Sequence, residues 1–195
     1  PAFASFELVL APAYRASRVP DAGRFHLFDP MPGPATRRTA EPDQGEAGLR
    51  IYRELAGYDV ALYFYRGFQR TPSMRPDGMS APARITLFYP KLAVYGASAS
   101  GRAGEGVVSL EAAYYDARQD RSGSDFTVPN AQTRLLAGYQ WQPWEDGSLG
   151  LQYYAEYMHD YRAYRASLPA GLPADKRRTD TFTARLTQFF LHQTL

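Results

Sequence analysis

The stretch Ser148-Leu149-Gly150-Leu151-Gln152-Tyr153-Tyr154-Ala155-Glu156-Tyr157-Met158-His159-Asp160-Tyr161 decides how the chain is read. In an extended strand, successive side chains point to opposite faces, so a half-apolar strand alternates with period two. Leu149, Leu151, Tyr153, Ala155 and Tyr157 then share one face. Gly150, Gln152, Tyr154, Glu156, Met158 and Asp160 share the other. A helix would need apolar residues three and four apart, and no such stripe runs through the segment.

The same period recurs along the chain. Between Thr133 and Trp141, Leu135, Ala137, Tyr139 and Trp141 oppose Arg134, Gly138 and Gln140. From Gly106 to Tyr115, Val108, Leu110, Ala112 and Tyr114 oppose Ser109, Glu111 and Tyr115. Val60, Leu62 and Phe64 oppose Ala61, Tyr63, Tyr65 and Gly67 within Tyr58 to Phe68. Phe182, Ala184 and Leu186 oppose Thr183, Arg185 and Thr187, while Ala4, Phe6, Leu8 and Leu10 oppose Ser5, Glu7 and Val9. Ala47 to Leu55 alternates more loosely. Arg84 to Ser100 reads as one long segment in which Pro90, unable to donate to a ladder, marks a bulge or bend. The frequent Gly, Thr, Tyr and Val count against helices throughout.

Short and long links alternate between these segments. The short ones are 55–58, 102–105 and 144–147, and each contains or ends on a glycine able to take positive φ in a tight hairpin. The long ones run over 11–46, 69–83, 119–132 and 162–179. Bacterial membrane barrels alternate short periplasmic turns with long extracellular loops in this way. Tyr58, Trp141 and Trp144 gather beside the short turns, and Tyr65, Phe68, Tyr114, Tyr115, Tyr157 and Tyr161 gather toward the long links. Such an arrangement fits aromatic girdles at two membrane interfaces.

Composition narrows the classes. The chain has 195 residues, 15 Tyr, 11 Phe and no Cys, so disulfides and thiolate metal sites are excluded. A net charge of +2 gives no basic footprint for nucleic acid. No apolar run approaches the ~20 residues of a membrane helix. The start Pro1-Ala2-Phe3 carries no initiator Met or signal peptide and reads as a trimmed or partial chain. The fold expected is all-β: an up-and-down antiparallel transmembrane β-barrel, here a partial barrel of about eight meandering strands. Residues 1–195 form a single barrel region.

Several pieces carry a resemblance to a known class of protein. They are Tyr89-Pro90-Lys91-Leu92-Ala93-Val94-Tyr95-Gly96-Ala97-Ser98, Glu111-Ala112-Ala113-Tyr114-Tyr115-Asp116, Pro129-Asn130, Leu136-Ala137-Gly138-Tyr139 and Gln152-Tyr153-Tyr154-Ala155-Glu156-Tyr157-Met158. Upstream, Gly57-Tyr58-Asp59-Val60-Ala61-Leu62-Tyr63 and Tyr65-Arg66-Gly67-Phe68 fit the same pattern. Together these resemble uncharacterised proteobacterial outer-membrane, porin-like proteins. The ending Phe190-Leu191-His192-Gln193-Thr194-Leu195 is similar to a strand that, in such proteins, is followed by others. The resemblance implies an outer-membrane location, a fragment of a larger barrel, and neither a settled substrate nor a catalytic residue. The terminal aromatic strand of such barrels is missing here.

Candidate pore-lining residues are Glu7, Glu111, Arg134, Glu156, Asp160 and Arg185, which alternation puts on the polar face. Opposed charges there would either set a field across a pore or pair with one another in a filled interior. Tyr63, Tyr65, Tyr115 and Tyr154 add phenols to that face, as a slide for apolar solutes or as packing. His26, His159 and His192 have no metal-ligand spacing, and His159 and Asp160, as neighbours in a strand, would point apart. Ser98, Ser100 and Ser109 lack a nucleophile-elbow context, and no glycine-rich phosphate cradle precedes a helix. Lys176-Arg177-Arg178 is a basic cluster that either bridges lipopolysaccharide phosphates or is simply solvated. Phe25-His26-Leu27-Phe28-Asp29-Pro30-Met31-Pro32 is too apolar for a free loop and is expected to fold inward or pack on the rim.

The leading expectation is a non-enzymatic channel for small solutes, without cofactor or metal. Its partners would be outer-membrane lipid, lipopolysaccharide and the solute, with no nucleic acid; a homo-oligomer stays open. An outer-membrane barrel hydrolase and a soluble β-barrel or sandwich binding protein are the alternatives.

Overall fold

A computed structural model describes residues 3–16 and 35–190. Strands take up 60% of the chain and helix 4%, so the fold is all-β. The long strands are β1 (Ser5–Ala11), β3 (Glu46–Leu55), β4 (Tyr58–Phe68), β7 (Lys91–Ala103), β8 (Gly106–Asp116), β9 (Gln132–Trp144), β10 (Gly147–Met158) and β11 (Arg178–Gln188). They pair in that order, every pair antiparallel, as one eight-stranded sheet. Among the described residues β1 bonds only to β3 and β11 only to β10, so the sheet as described is open at both edges. No closed barrel forms among the described residues.

The three tight connections lie at one end of the sheet. In the first, Ala56 and Gly57 both take positive φ, at 52° and 82°, as a two-residue hairpin matched to strand twist requires. Gly104 does so in the second, at φ 61°. The third differs from expectation: Asp146, not Gly147, adopts the left-handed conformation, at φ 59°. Gly147 is needed for room instead, because a Cβ there would fall on the Trp144 indole.

The described parts of the long links hold further secondary structure. The link between β1 and β3 holds β2 (Thr36–Ala40), and the link between β4 and β7 holds β5 (Ser73–Pro76) and β6 (Arg84–Phe88). These form a separate three-stranded sheet in which β2 runs parallel to β6 and β5 antiparallel to it. The segment read as one strand over 84–100 is therefore two, and the fully buried Pro90 stands at the break between β6 and β7. A helix, α1 (Tyr161–Ser167), occupies part of the last long link. It begins because Asp160, at φ 51°, turns the chain out of the sheet just after β10. The apolar stretch 25–32, with His26, lies outside the described residues, as does His192.

Tyr14 fastens the chain just after β1. It is 5% exposed and packs on Phe68 and Tyr89, with ring centroids 5.4 and 5.0 Å away. Its hydroxyl donates to the Gln69 carbonyl at 3.3 Å, and its backbone N–H donates to Gln44 at 3.2 Å. Burial, aided by Tyr89 and opposed by Arg70, pushes the Tyr14 phenol up to about 12. The unfolded phenol ionises near ~10. Between those values the unfolded chain has lost a proton that the folded one keeps, so stability falls as pH rises. The contact is intact below the lower value and is lost as pH passes through the upper. A pH titration of the Tyr14 phenol by ultraviolet difference, with Tyr14→Phe as reference, is expected to show this late transition.

Candidate functional site

Residues paired across neighbouring strands share a face, so the register sorts every side chain of the large sheet. On one face, Phe6 meets Ile51, Ile51 meets Leu62, Leu62 meets Ala97, Ala97 meets Ala112, Ala112 meets Leu135 and Leu135 meets Ala155. The next row runs Val60, Ala99, Leu110, Ala137, Tyr153 and Phe182. Between its margins this face holds no charged side chain. Yet it is uncovered: Leu62 is 56% exposed, Leu110 49%, Leu151 47% and Phe182 80%. Leaving such a leucine in water instead of burying it forfeits ~1.5–3 kcal/mol each time.

Charges mark the margins of this apolar band. Toward the long links they are Arg66 on β4, Asp116 on β8, and Asp180 with Arg178 on β11; toward the short turns Arg53 lies on β3. The margins step along the sheet. Arg66 is level with Ala93 and Asp116, whereas Asp180 is level, strand by strand, with Ala155, Leu135, Ala112, Ala97 and Leu62. At the other margin, Arg53 is level with Val60, while β11 stays apolar as far as Leu186, level with Leu149 and Trp141. The band therefore slants across the hydrogen-bonding rows, the pattern that tilted strands give to a belt of constant height. Tyr95, Tyr114 and Tyr157 lie near its upper edge and Tyr58, Tyr139 and Trp141 near its lower one. Tyr65 and Tyr115, grouped with the upper aromatics by sequence, face the other way.

The opposite face is polar. One row reads Glu7, Arg50, Tyr63, Gly96, Ala113, Arg134, Glu156 and Thr179 from β1 to β11. Arg50 pairs with Glu7 at 3.5 Å and lies 4.3 Å over the Tyr52 ring. Arg134 pairs with Glu156 at 3.3 Å and lies 4.1 Å over Tyr115. Tyr154 donates to Glu156 at 2.8 Å, and Tyr63 shares a 3.1 Å hydrogen bond with Ser98. Cross-strand pairs of this kind contribute ~0.2–1 kcal/mol each. Their larger effect is to hold planar guanidinium and phenol groups flat along the strip.

Two hollows, of about 460 and 370 Å³, open along this strip and share Tyr63, Ser98 and Glu111. The Arg50–Glu7 and Arg134–Glu156 charges cancel, whereas Glu111 and Asp59, which both line the first hollow, make no ion pair among the described residues. Arg185 is on the same face, level with Gly150 and Gln140, and makes no ion pair among the described residues. Asp160 lies beyond the end of β10, at the start of α1, and so is not on a strand face.

No family model, curated protein or solved structure matches the chain. Geometry alone carries the reading.

His159 also follows β10, and its Nε2 lies 2.8 Å from the Thr133 hydroxyl, with Tyr114 and Tyr157 edge-on to the ring. A hydroxyl beside an imidazole is part of a nucleophile-and-base arrangement. No group holds the other ring nitrogen among the described residues. The basic cluster is engaged: Arg177 donates to the Tyr157 hydroxyl, and Arg178 pairs with Asp180 at 2.9 Å. Sequence reading missed the pairing of Arg50 with Glu7. Arginine facing glutamate across antiparallel neighbours was the available signal, but it needed the register to be seen.

Proposed function

We propose that the chain forms the wall of an outer-membrane, porin-like channel for small solutes, with the apolar face toward lipid and the polar strip toward the lumen. The uncovered, charge-free apolar band carries this reading. A water-soluble sheet hides such a face beneath a second layer, and a soluble sandwich or binding barrel would have to do so here. In lipid the same band is favourable without a cover. The strands of β4 and β8 are 11 residues long, enough to span the ~25 Å apolar zone when tilted. Short turns at one end and long links at the other agree with a barrel wall whose loops face outward. On this reading, further pairing at the free edges of β1 and β11 completes the barrel.

Conductance of the refolded native protein in a planar bilayer tests the proposal. Stepwise currents are expected. Glu111→Lys puts a positive charge where an unpaired carboxylate lines both hollows, and is expected to move the reversal potential toward anions under a salt gradient. A chain that stays soluble without detergent and never inserts contradicts the proposal.

A further inference from the structure

On the apolar face, across β8 to β11, lies an open groove of about 550 Å³. It exists because small and large side chains alternate there. Ala137 has the Tyr139 ring two residues along β9, and Ala184 has the Phe182 ring two residues along β11, so the rings stand proud of the alanines. Tyr153 stacks on Phe182 at 4.7 Å and walls the groove on the side toward the long links.

The polar end of that wall is charged. The Tyr153 hydroxyl donates to Asp180 at 2.6 Å and accepts from Arg178 at 3.0 Å. Arg178 also pairs with Asp180 at 2.9 Å, and its side chain is still 62% exposed. Arg177, just before β11, lays its guanidinium over the Tyr157 ring, 5.0 Å from the centroid, and donates to the Tyr157 hydroxyl. Lys176 is exposed beside it. Asp180 neutralises Arg178, and the Asp175 carboxylate is held at α1, where it accepts from Tyr164 at 3.3 Å. Lys176 and Arg177 make no ion pair among the described residues. Two cations are therefore left at the upper margin of the band, directly above the groove. Arg178 is four residues from Phe182, ~13 Å along the strand. Half of a hydrocarbon core ~30 Å thick is about as deep. A lipid with its head group on these cations can lay an acyl chain in the groove.

We propose that the β10–β11 side of the sheet holds one lipid bearing phosphate monoesters, the chemistry of the lipid anchor of lipopolysaccharide. A phosphate meets Lys176 and Arg177, and an acyl chain lies between Tyr139 and Tyr153. The inference rests on the reading that this face meets lipid. Two unpaired cations match more negative charge than a zwitterionic head group carries, and each cation near an anionic lipid surface adds about fivefold to affinity.

Native mass spectrometry of the whole chain, refolded in non-ionic detergent, tests it with diphosphoryl lipid A and, separately, with phosphatidylcholine. One lipid A per chain is expected to stay bound at concentrations that leave no phosphatidylcholine bound, and excess inorganic phosphate is expected not to displace it. Lys176→Gln with Arg177→Gln is expected to weaken lipid A about thirtyfold. Ala184→Trp, which fills the groove, is expected to lower the bound fraction, and Lys91→Gln, at the same end of the sheet but on β7, to leave it unchanged. Insertion of the same variants into phosphatidylcholine vesicles is measured alongside. A chain that inserts yet retains both lipids equally, loses lipid A to inorganic phosphate, or keeps full affinity without Lys176 and Arg177 overturns this inference alone. A chain that never inserts overturns the reading beneath it, and this inference with it.

Discussion

Leu110→Arg is expected to cost ~2–4 kcal/mol of stability in lipid and to lower the yield of inserted protein sharply. Leu110 stands mid-height in β8, between Val108 and Ala112 on the apolar face and level with Ala99 and Ala137 on its neighbours. No carboxylate lies on that face near enough to pair with a guanidinium, since Asp116 marks the upper margin. The charge must either be dehydrated or drag water into the band. Glu111→Arg, one residue on, turns the same side chain to the polar hollows and is expected to change stability by no more than ~0.5 kcal/mol. Urea titrations of both variants in lipid vesicles measure the difference. Equal costs would mean that the two faces of β8 meet the same surroundings.

Tyr14→Ala is expected to cost ~3–5 kcal/mol locally, the range for emptying a buried aromatic site. The ring bridges Phe68 at the end of β4 and Tyr89 just before β7, and Arg70 lies 5.4 Å from it. Its loss uncovers both partners and removes the hydroxyl's bond to the Gln69 carbonyl, while the backbone bond to Gln44 stays. Tyr14→Phe keeps the packing and drops one hydrogen bond, for about 1 kcal/mol. Hydrogen exchange separates these outcomes. The Gln69 amide, bonded to Pro90 at 2.8 Å, is expected to exchange much faster in Tyr14→Ala and little faster in Tyr14→Phe. Unchanged exchange in the alanine variant would show that Tyr14 holds nothing in place.

The long strands were legible because each carries enough residues for period two to stand out, as Leu149 to Tyr157 does. The short ones were not. Thr36–Ala40 is exposed along its whole length, and its parallel partner Arg84–Phe88 is far away in sequence, so neither shows alternation that a neighbour would enforce. Pro90 was visible as an interruption, but whether it bends one strand or separates two depends on β6 leaving the large sheet for the small one. Asp160 looked like one more step of β10. Its left-handed backbone ends the strand instead, and Tyr161, Tyr164 and Leu168, three and four apart, were the helical signal that the preceding alternation obscured. The polar strip was legible as a face but not as pairs, because pairing depends on register.

The central claim is that the apolar face touches lipid. With no cysteine in the chain, single nitroxide labels can be set from Leu149 to Glu156 without a background. Collision with oxygen, which concentrates in lipid, is compared with collision with a water-soluble nickel chelate. In vesicles, oxygen is expected to dominate at Leu149, Leu151, Tyr153 and Ala155, and nickel at Gly150, Gln152, Tyr154 and Glu156, alternating residue by residue. Labels at Leu149, Leu151 and Tyr153 that meet nickel freely, or that meet neither reagent because protein covers them, would contradict the account.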